Sequence, residues 1–142
     1  MAEILYSLNI YDGAPVDARI VWLTEDDNEK FNEHLIFCGQ KPAAHDWLRE
    51  IYRQGTARYC LLYADGLPVA RGAVEPYSER MWEAADIRVA REHRGRGYAK
   101  AILRFLSREI IANGKTATCR TEEDNLAMQK VIKSMGYQEM IP

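Results

Sequence analysis

The sequence predicts a single α/β domain spanning residues 1–142, and three observations carry that expectation. Two apolar, strand-like stretches, 58–64 and 68–75, flank an Ala-Asp-Gly-Leu turn, which is a hairpin signal. From residue 82 onward the pattern alternates strand, helix, strand, helix, an order that requires crossover connections between later strands. The chain is 142 residues long and 47% apolar, with no repeat, low-complexity tract or linker, which suits one hydrophobic core.

Each element has a local justification. Residues 4–10 and 18–23 are rich in Ile, Leu, Val and aromatic side chains and are expected to be strands. Thr24 is placed to cap a helix running to about residue 36, with acidic residues in its first turn. Pro42 is expected to begin a second helix: Ala44, Trp47, Leu48, Ile51 and Tyr52 recur at helical spacing, and Gly55 ends it. The strand over 82–90 changes phase midway, because Trp82 and Ala84 share one parity and Ile87 and Val89 the other. Either a β-bulge lies near Ala85-Asp86, or Trp82 belongs to a loop before a short strand. A helix follows over 97–113, with Ala99, Ile102, Leu103, Leu106 and Ile110 on one stripe and Gly114 as its stop. A strand over 115–120 and a helix over 125–135 complete the pattern.

The chemistry concentrates at Arg94-Gly95-Arg96-Gly97-Tyr98-Ala99, between a strand and an amphipathic helix. A glycine-bearing turn that opens a helix exposes N–H groups lacking intrahelical acceptors, and the helix dipole adds positive potential, so phosphate is a natural ligand. The surroundings agree. Between Arg88 and Arg108 lie six arginines and Lys100 against the single acid Glu92, although the whole chain carries a net charge of −2. The spacing is neither a Walker loop nor a dinucleotide fingerprint.

Other classes find little support. No run reaches membrane-spanning length, and the first residues lack the charged start and apolar core of a signal peptide. Cys38, Cys60 and Cys119 form neither a metal pattern nor a disulfide framework. With the scattered His34, His45 and His93, they suggest no metal site. A reduced, cytoplasmic protein that binds neither membrane nor nucleic acid is the expectation, the arginines clustering at one turn rather than along an aromatic-interleaved surface.

The stretch from Ile87 to Ala99 resembles the acetyl-CoA-binding motif of the GNAT superfamily of N-acetyltransferases, whose core Arg/Gln-x-x-Gly-x-Gly/Ala is met by Arg94, Gly97 and Ala99. The likeness continues in Asn125 and in Lys133-Ser134-Met135-Gly136-Tyr137, similar to that family's Asn-led final helix ending in Gly-Phe/Tyr. It implies a mixed, mostly antiparallel sheet flanked by helices, with strands splayed at the bulge in 82–90. It also implies acetyl transfer from acetyl-CoA to a primary amine, on a small molecule or a peptide, by direct attack in a ternary complex. Backbone groups of Ile87, Arg88 and Val89 would pair with the pantetheine arm. Those from Gly95 to Lys100, including Gly97, Tyr98 and Ala99, would cradle the pyrophosphate, with Arg94 and Arg96 adding charge. Asn125 would contact the pantetheine and also serve as a helix cap.

The resemblance places Glu83, eleven residues before Arg94, as the general base, with Asp86 second and Glu75 third. Two departures stand out. The position where relatives carry a thiolate-protonating tyrosine is Ile132, which leaves Tyr137 among the substitutes for the acid. Only five residues follow Tyr137, where relatives continue through a terminal hairpin, so residues 4–10 are expected to fill that sheet edge, within the chain or across a homodimer. These departures keep open an alternative: a catalytically inactive CoA-binding sensor or partner-binding module.

Overall fold

The structure, a computed structural model, describes residues 2–141. Seven strands form one sheet in the order β2-β3-β4-β5-β6-β1-β7. They are β1 Glu3–Leu8, β2 Ile20–Trp22, β3 Arg58–Ala64, β4 Leu67–Glu75, β5 Met81–Val89, β6 Thr116–Glu122 and β7 Gln138–Glu139. Every ladder is antiparallel except that between β5 and β6. The helices are α1 Asn28–Phe37, α2 Trp47–Gln54, α3 Tyr98–Ala112 and α4 Leu126–Ser134, with a single 3-10 turn at Arg91–His93. The expected sheet, mixed and mostly antiparallel with flanking helices, is the sheet observed.

Alternation along β3 explains the layering. Tyr59 and Leu61 pack into a core beneath α1 and α2 with Phe31, Leu35 and Leu48, whereas Cys60, Leu62 and Ala64 face the opposite core with Ile102, Leu106 and Ile132 of α3 and α4. A strand buried on both faces has no solvent side, so its apolar run is nearly continuous. On the α3 side the packing is close: a Cβ built at Gly72 would lie 2.5 Å from Ile102 Cγ2 and 2.9 Å from Leu106 Cδ1. The glycine thus lets α3 lie directly on β4.

Three local expectations change. Thr24 does not cap α1; instead the Asp27 carboxylate accepts from the Thr24 N–H at 2.7 Å and hydroxyl at 3.0 Å, and the helix begins at Asn28. Helix α2 begins at Trp47, not Pro42, because two asparagines of α1 bind the backbone ahead of it and in its first turn. Asn32 accepts from Ala43 N–H at 2.8 Å and Asn28 accepts from Leu48 N–H at 2.8 Å. The N-terminal strand pairs within the chain, but not at the rim. It lies between β6, from Glu3 opposite Glu122 to Leu8 opposite Ala117, and the two-residue β7, which the sequence pattern did not disclose.

Candidate active site

The site begins at a register shift. Arg71 lies opposite Arg88 and Ala73 opposite Ala85, so Asp86 and Ile87 together face Gly72. This is the bulge at the phase change in the sequence pattern. Asp86 adopts φ +49° there, the left-handed region that Asp tolerates better than most residues. Its carboxylate is held on both oxygens: the Tyr59 hydroxyl donates to Oδ2 at 2.9 Å and Arg71 donates to Oδ1 at 3.0 Å. Arg71 is only 6% exposed and also donates to Gln40 Oε1 at 2.6 Å. The second-choice base is therefore occupied as the anchor of a buried guanidinium.

Beneath this network, His34 of α1 is fully buried and donates through Nδ1 to the Pro68 carbonyl at 2.8 Å. Nε2 is left to accept from the Cys38 thiol at 3.5 Å. Burial pushes the imidazole down to about 4 and holds the Cys38 thiol above its ordinary value, so this pair is neutral and structural at physiological pH.

On its other side β5 parts from β6. Their parallel ladder spans only Met81–Glu83 against Thr116–Thr118. A cleft of about 540 Å3 opens beyond, between Ile87–Val89, the Arg94–Lys100 turn and the first turns of α4. Gly95 and Gly97 have φ +80° and +84°, values that glycine adopts without strain, and Gly97 is the N-cap of α3. The first intrahelical bond runs from Ala101 N–H to the Gly97 carbonyl at 3.0 Å, so the N–H groups of Tyr98, Ala99 and Lys100 have no acceptor within the helix. The lining holds Arg88, Arg94 and Lys100 and no carboxylate. His93 also lines it, with a buried Nδ1 that lacks a protein partner. Unsatisfied donors, a helix N-terminus and three cations suit a phosphate-bearing ligand.

A second cleft, about 980 Å3, adjoins the first through Ile87, Asn125 and Met128. Glu83 lines it at 8% exposure, its Oε1 accepting from Arg120 Nε at 2.9 Å. Glu75 lies opposite Glu83 across the β4–β5 ladder. Burial, reinforced by the negative charges of Glu83 and Asp86, holds the Glu75 carboxyl above the ordinary range.

Most sequence-nominated residues reach these clefts. Ile87, Arg88, Val89, Arg94, Gly95, Gly97, Tyr98, Ala99, Lys100 and Asn125 line the first; Glu83, Asp86 and Glu75 line the second. Asn125 caps α4 by accepting from Met128 N–H at 3.1 Å while bordering both clefts. Arg96 is exposed and lines neither. Tyr137 is a correction: it is 4% exposed in the α3-side core and hydrogen-bonded to Ser107 Oγ at 2.6 Å. Burial raises its pKa further, so it is no proton donor to either cleft. Ile132 is fully buried in the same core. Cys119 is 2% exposed, its thiol pushed up to about 12, as a buried apolar role requires. Sequence reasoning missed Arg120 and the network of Arg71 and Tyr59; the pairing of Glu75 with Glu83 follows only once the hairpin register is known.

A model of the acetyltransferase (GNAT) family matches residues 18–137, most of the chain. The chain belongs to the GNAT acetyltransferase family. Strand β1 lies ahead of the matched segment. Among solved structures, a GNAT-family protein from Novosphingobium aromaticivorans DSM 12444 is 18% identical, with a TM-score of 0.78, and the alignment covers 97% of this chain and 59% of that one. A GNAT-family acetyltransferase from Colwellia psychrerythraea is 22% identical, with a TM-score of 0.73 and coverage of 96% and 52%. A ribosomal-protein-alanine N-acetyltransferase from Brucella melitensis biovar Abortus 2308 is 19% identical, with a TM-score of 0.61 and coverage of 82% and 88%. The chain thus spans between half and three-fifths of the first two. At these identities the likeness is one of fold. No curated protein matches the chain. Among the described residues, no helix of this GNAT protein is long and apolar enough to cross a membrane.

Proposed function

We propose that this GNAT-family chain is an N-acetyltransferase that takes acetyl-CoA in the cationic cleft and a primary amine in the carboxylate-lined one. The observation that carries the reading is the meeting of two clefts of opposite charge at Ile87, Asn125 and Met128, where the bulge frees β5 from β6. The unpaired edge of β5 offers backbone groups to an extended arm, and the α3 N-terminus with Arg94 and Lys100 offers donors to the pyrophosphate. Acetyl-CoA supplies an activated acyl group.

The chain's own task is to deliver the amine neutral. Asp86 is committed to Arg71 and Tyr59, and one oxygen of Glu83 to Arg120. Glu75, with its raised pKa, is the better proton acceptor of the opposed carboxylates, and Glu83 with Arg120 sets the field around it. A base of this kind contributes roughly a hundred- to ten-thousandfold in rate. Thiol release over an amine panel, combined with calorimetric titration of acetyl-CoA, tests the assignment. Glu75→Gln should lose turnover by about a hundredfold, the low end of that range, with acetyl-CoA affinity retained. An unaltered pH–rate profile in Glu75→Gln would remove it from the role.

One observation favours a second reading, a CoA-binding module without turnover. The usual tyrosine position is Ile132, buried in the core, and offers no hydroxyl to the cleft. Acetyl-CoA binding without thiol release across the panel would select it.

A further inference from the structure

We propose that the acceptor is a linear amine carrying two or more positive charges, a polyamine rather than a simple monoamine or an amino acid. This deepens the acetyltransferase reading and rests on it. The second cleft is lined by Glu3, Glu75, Glu83, Asp86, Glu122 and Asp124 against the single cation Arg120. Internal pairing neutralises only part of this set. Asp86 is matched by Arg71, and Glu83 by Arg120, which Glu3 approaches at 3.9 Å. Among the described residues, Glu75, Glu122 and Asp124 have no ion-pair partner.

These three carboxylates stand at opposite ends of the cleft. Glu75 is level with Glu83, which pairs with Thr118 of β6, whereas Glu122 ends that strand and Asp124 follows it. Four residues of strand separate the two levels, about 13 Å at the rise of a β-strand. A chain with one amine beside Glu75 and a second ammonium at the Glu122–Asp124 end spans that distance. A monoamine reaches one end only. The carboxylate of an amino acid meets a cleft that stays net negative after these pairings and an arginine already committed to Glu83.

The neighbouring cleft supplies an independent indication that the acidic one receives a ligand. It carries Arg88, Arg94 and Lys100 with no acid, and the two share the wall made by Ile87, Asn125 and Met128. The strand opening thus divides one continuous groove into an anion-binding half and a cation-binding half. Focused potentials of this sort raise the local concentration of an oppositely charged ligand and are weakened by salt. Glu75 combines both needs of the acceptor end: it attracts the ammonium, and its elevated proton affinity helps to discharge it.

The test compares butylamine, 1,4-diaminobutane and spermidine as acceptors at one ionic strength, alongside equilibrium dialysis of spermidine with the CoA-saturated protein. The kcat/KM should be about tenfold higher for spermidine, long enough to reach both ends, than for butylamine, with the shorter 1,4-diaminobutane between them, and should fall with salt, each exposed-type ion contact being worth a modest factor. The double variant Glu122→Gln/Asp124→Asn, at exposed positions, should weaken spermidine binding about tenfold, two such contacts being lost. Equal kcat/KM for the three amines, faster turnover of glycine or alanine than of spermidine, or unchanged spermidine affinity in the double variant would each overturn the proposal. Salt-sensitive spermidine binding that the double variant weakens, without thiol release from any amine, would uphold the ligand class and reject the catalytic reading instead.

Discussion

Replacing Asp86 with Asn separates an anchor from a base. Asn tolerates the left-handed conformation found at φ +49°, so the bulge keeps its backbone and only the charge and one acceptor are lost. The lost acceptor matters because two donors converge on this carboxylate, the Tyr59 hydroxyl and Arg71. An amide can accept from one of them and must turn its NH2 toward the other. Arg71 is then a buried cation whose remaining partner is the neutral Gln40. Breaking a fully buried pair by removing one partner costs about 3–5 kcal/mol. Here the side chains are 7% and 38% exposed, so solvent reaches the Asp86 end, and about 2 kcal/mol is the expected cost once that screening is included. Urea denaturation at pH 7 should show that loss, and calorimetry should show weaker acetyl-CoA binding as the β5 edge loosens. The pH dependence of kcat/KM should keep its shape. Stability within about 0.5 kcal/mol of the parent, combined with a vanished acidic limb in the pH–rate profile, would refute the reasoning and return Asp86 to the role of base.

Other perturbations follow from the same geometry. Gly72→Ala should cost about 1–3 kcal/mol by overpacking, since its Cβ would meet Ile102 and Leu106, and thermal unfolding would register it; a melting temperature equal to the parent's would contradict the packing described. His34 has a depressed folded pKa, about 4 against 6.5 unfolded, so the unfolded chain takes up the proton first as pH falls. Stability is complete above pH 6.5 and should decline by about 3 kcal/mol toward pH 4, an increment that His34→Gln should lack in parallel urea titrations. Gly97→Ala meets no atom within 4 Å, so its folding cost is that of the positive φ alone, about 1–2 kcal/mol. Its methyl group should nonetheless weaken acetyl-CoA binding at the α3 N-terminus, and unchanged affinity by calorimetry would argue against the cradle.

What could be read in the sequence was what local chemistry determines. The Gly95–Ala99 turn and the α3 stripe declare themselves because a glycine at positive φ and a 3.6-residue apolar period act within a few residues. The bulge was legible as a change of parity between Ala84 and Ile87. The start of α2 was not, because the capping of residues 43–48 comes from Asn28 and Asn32 on another helix. The confrontation of Glu75 with Glu83 depends on register across a hairpin, and Arg120 reaches Glu83 from β6, whose neighbour β5 lies across a crossover. Tyr137 looked available as an acid only because Ser107, which satisfies its hydroxyl, lies far away in sequence. The catalytic side of the site is assembled almost wholly from such distant pairs, whereas the donor side is nearly continuous in sequence.

Strand β1 bears on the order of folding. Its neighbours on either side, β6 and β7, come from the last third of the chain, with Glu3 opposite Glu122 and Tyr6 opposite Glu139. A contact of such long sequence separation bears nearly the whole loop-closure entropy of the molecule. During synthesis β1 emerges first and stays unpaired while everything up to β6 is made. The sheet therefore closes at its β6-β1-β7 side last, and Arg120 and Glu122, which flank the acceptor cleft, gain their fixed positions only with that final ladder. Mutations that weaken β1 are predicted to slow the maturation of the acceptor half while sparing the Arg94–Lys100 turn, so that donor binding and acceptor binding appear at different times as the protein folds.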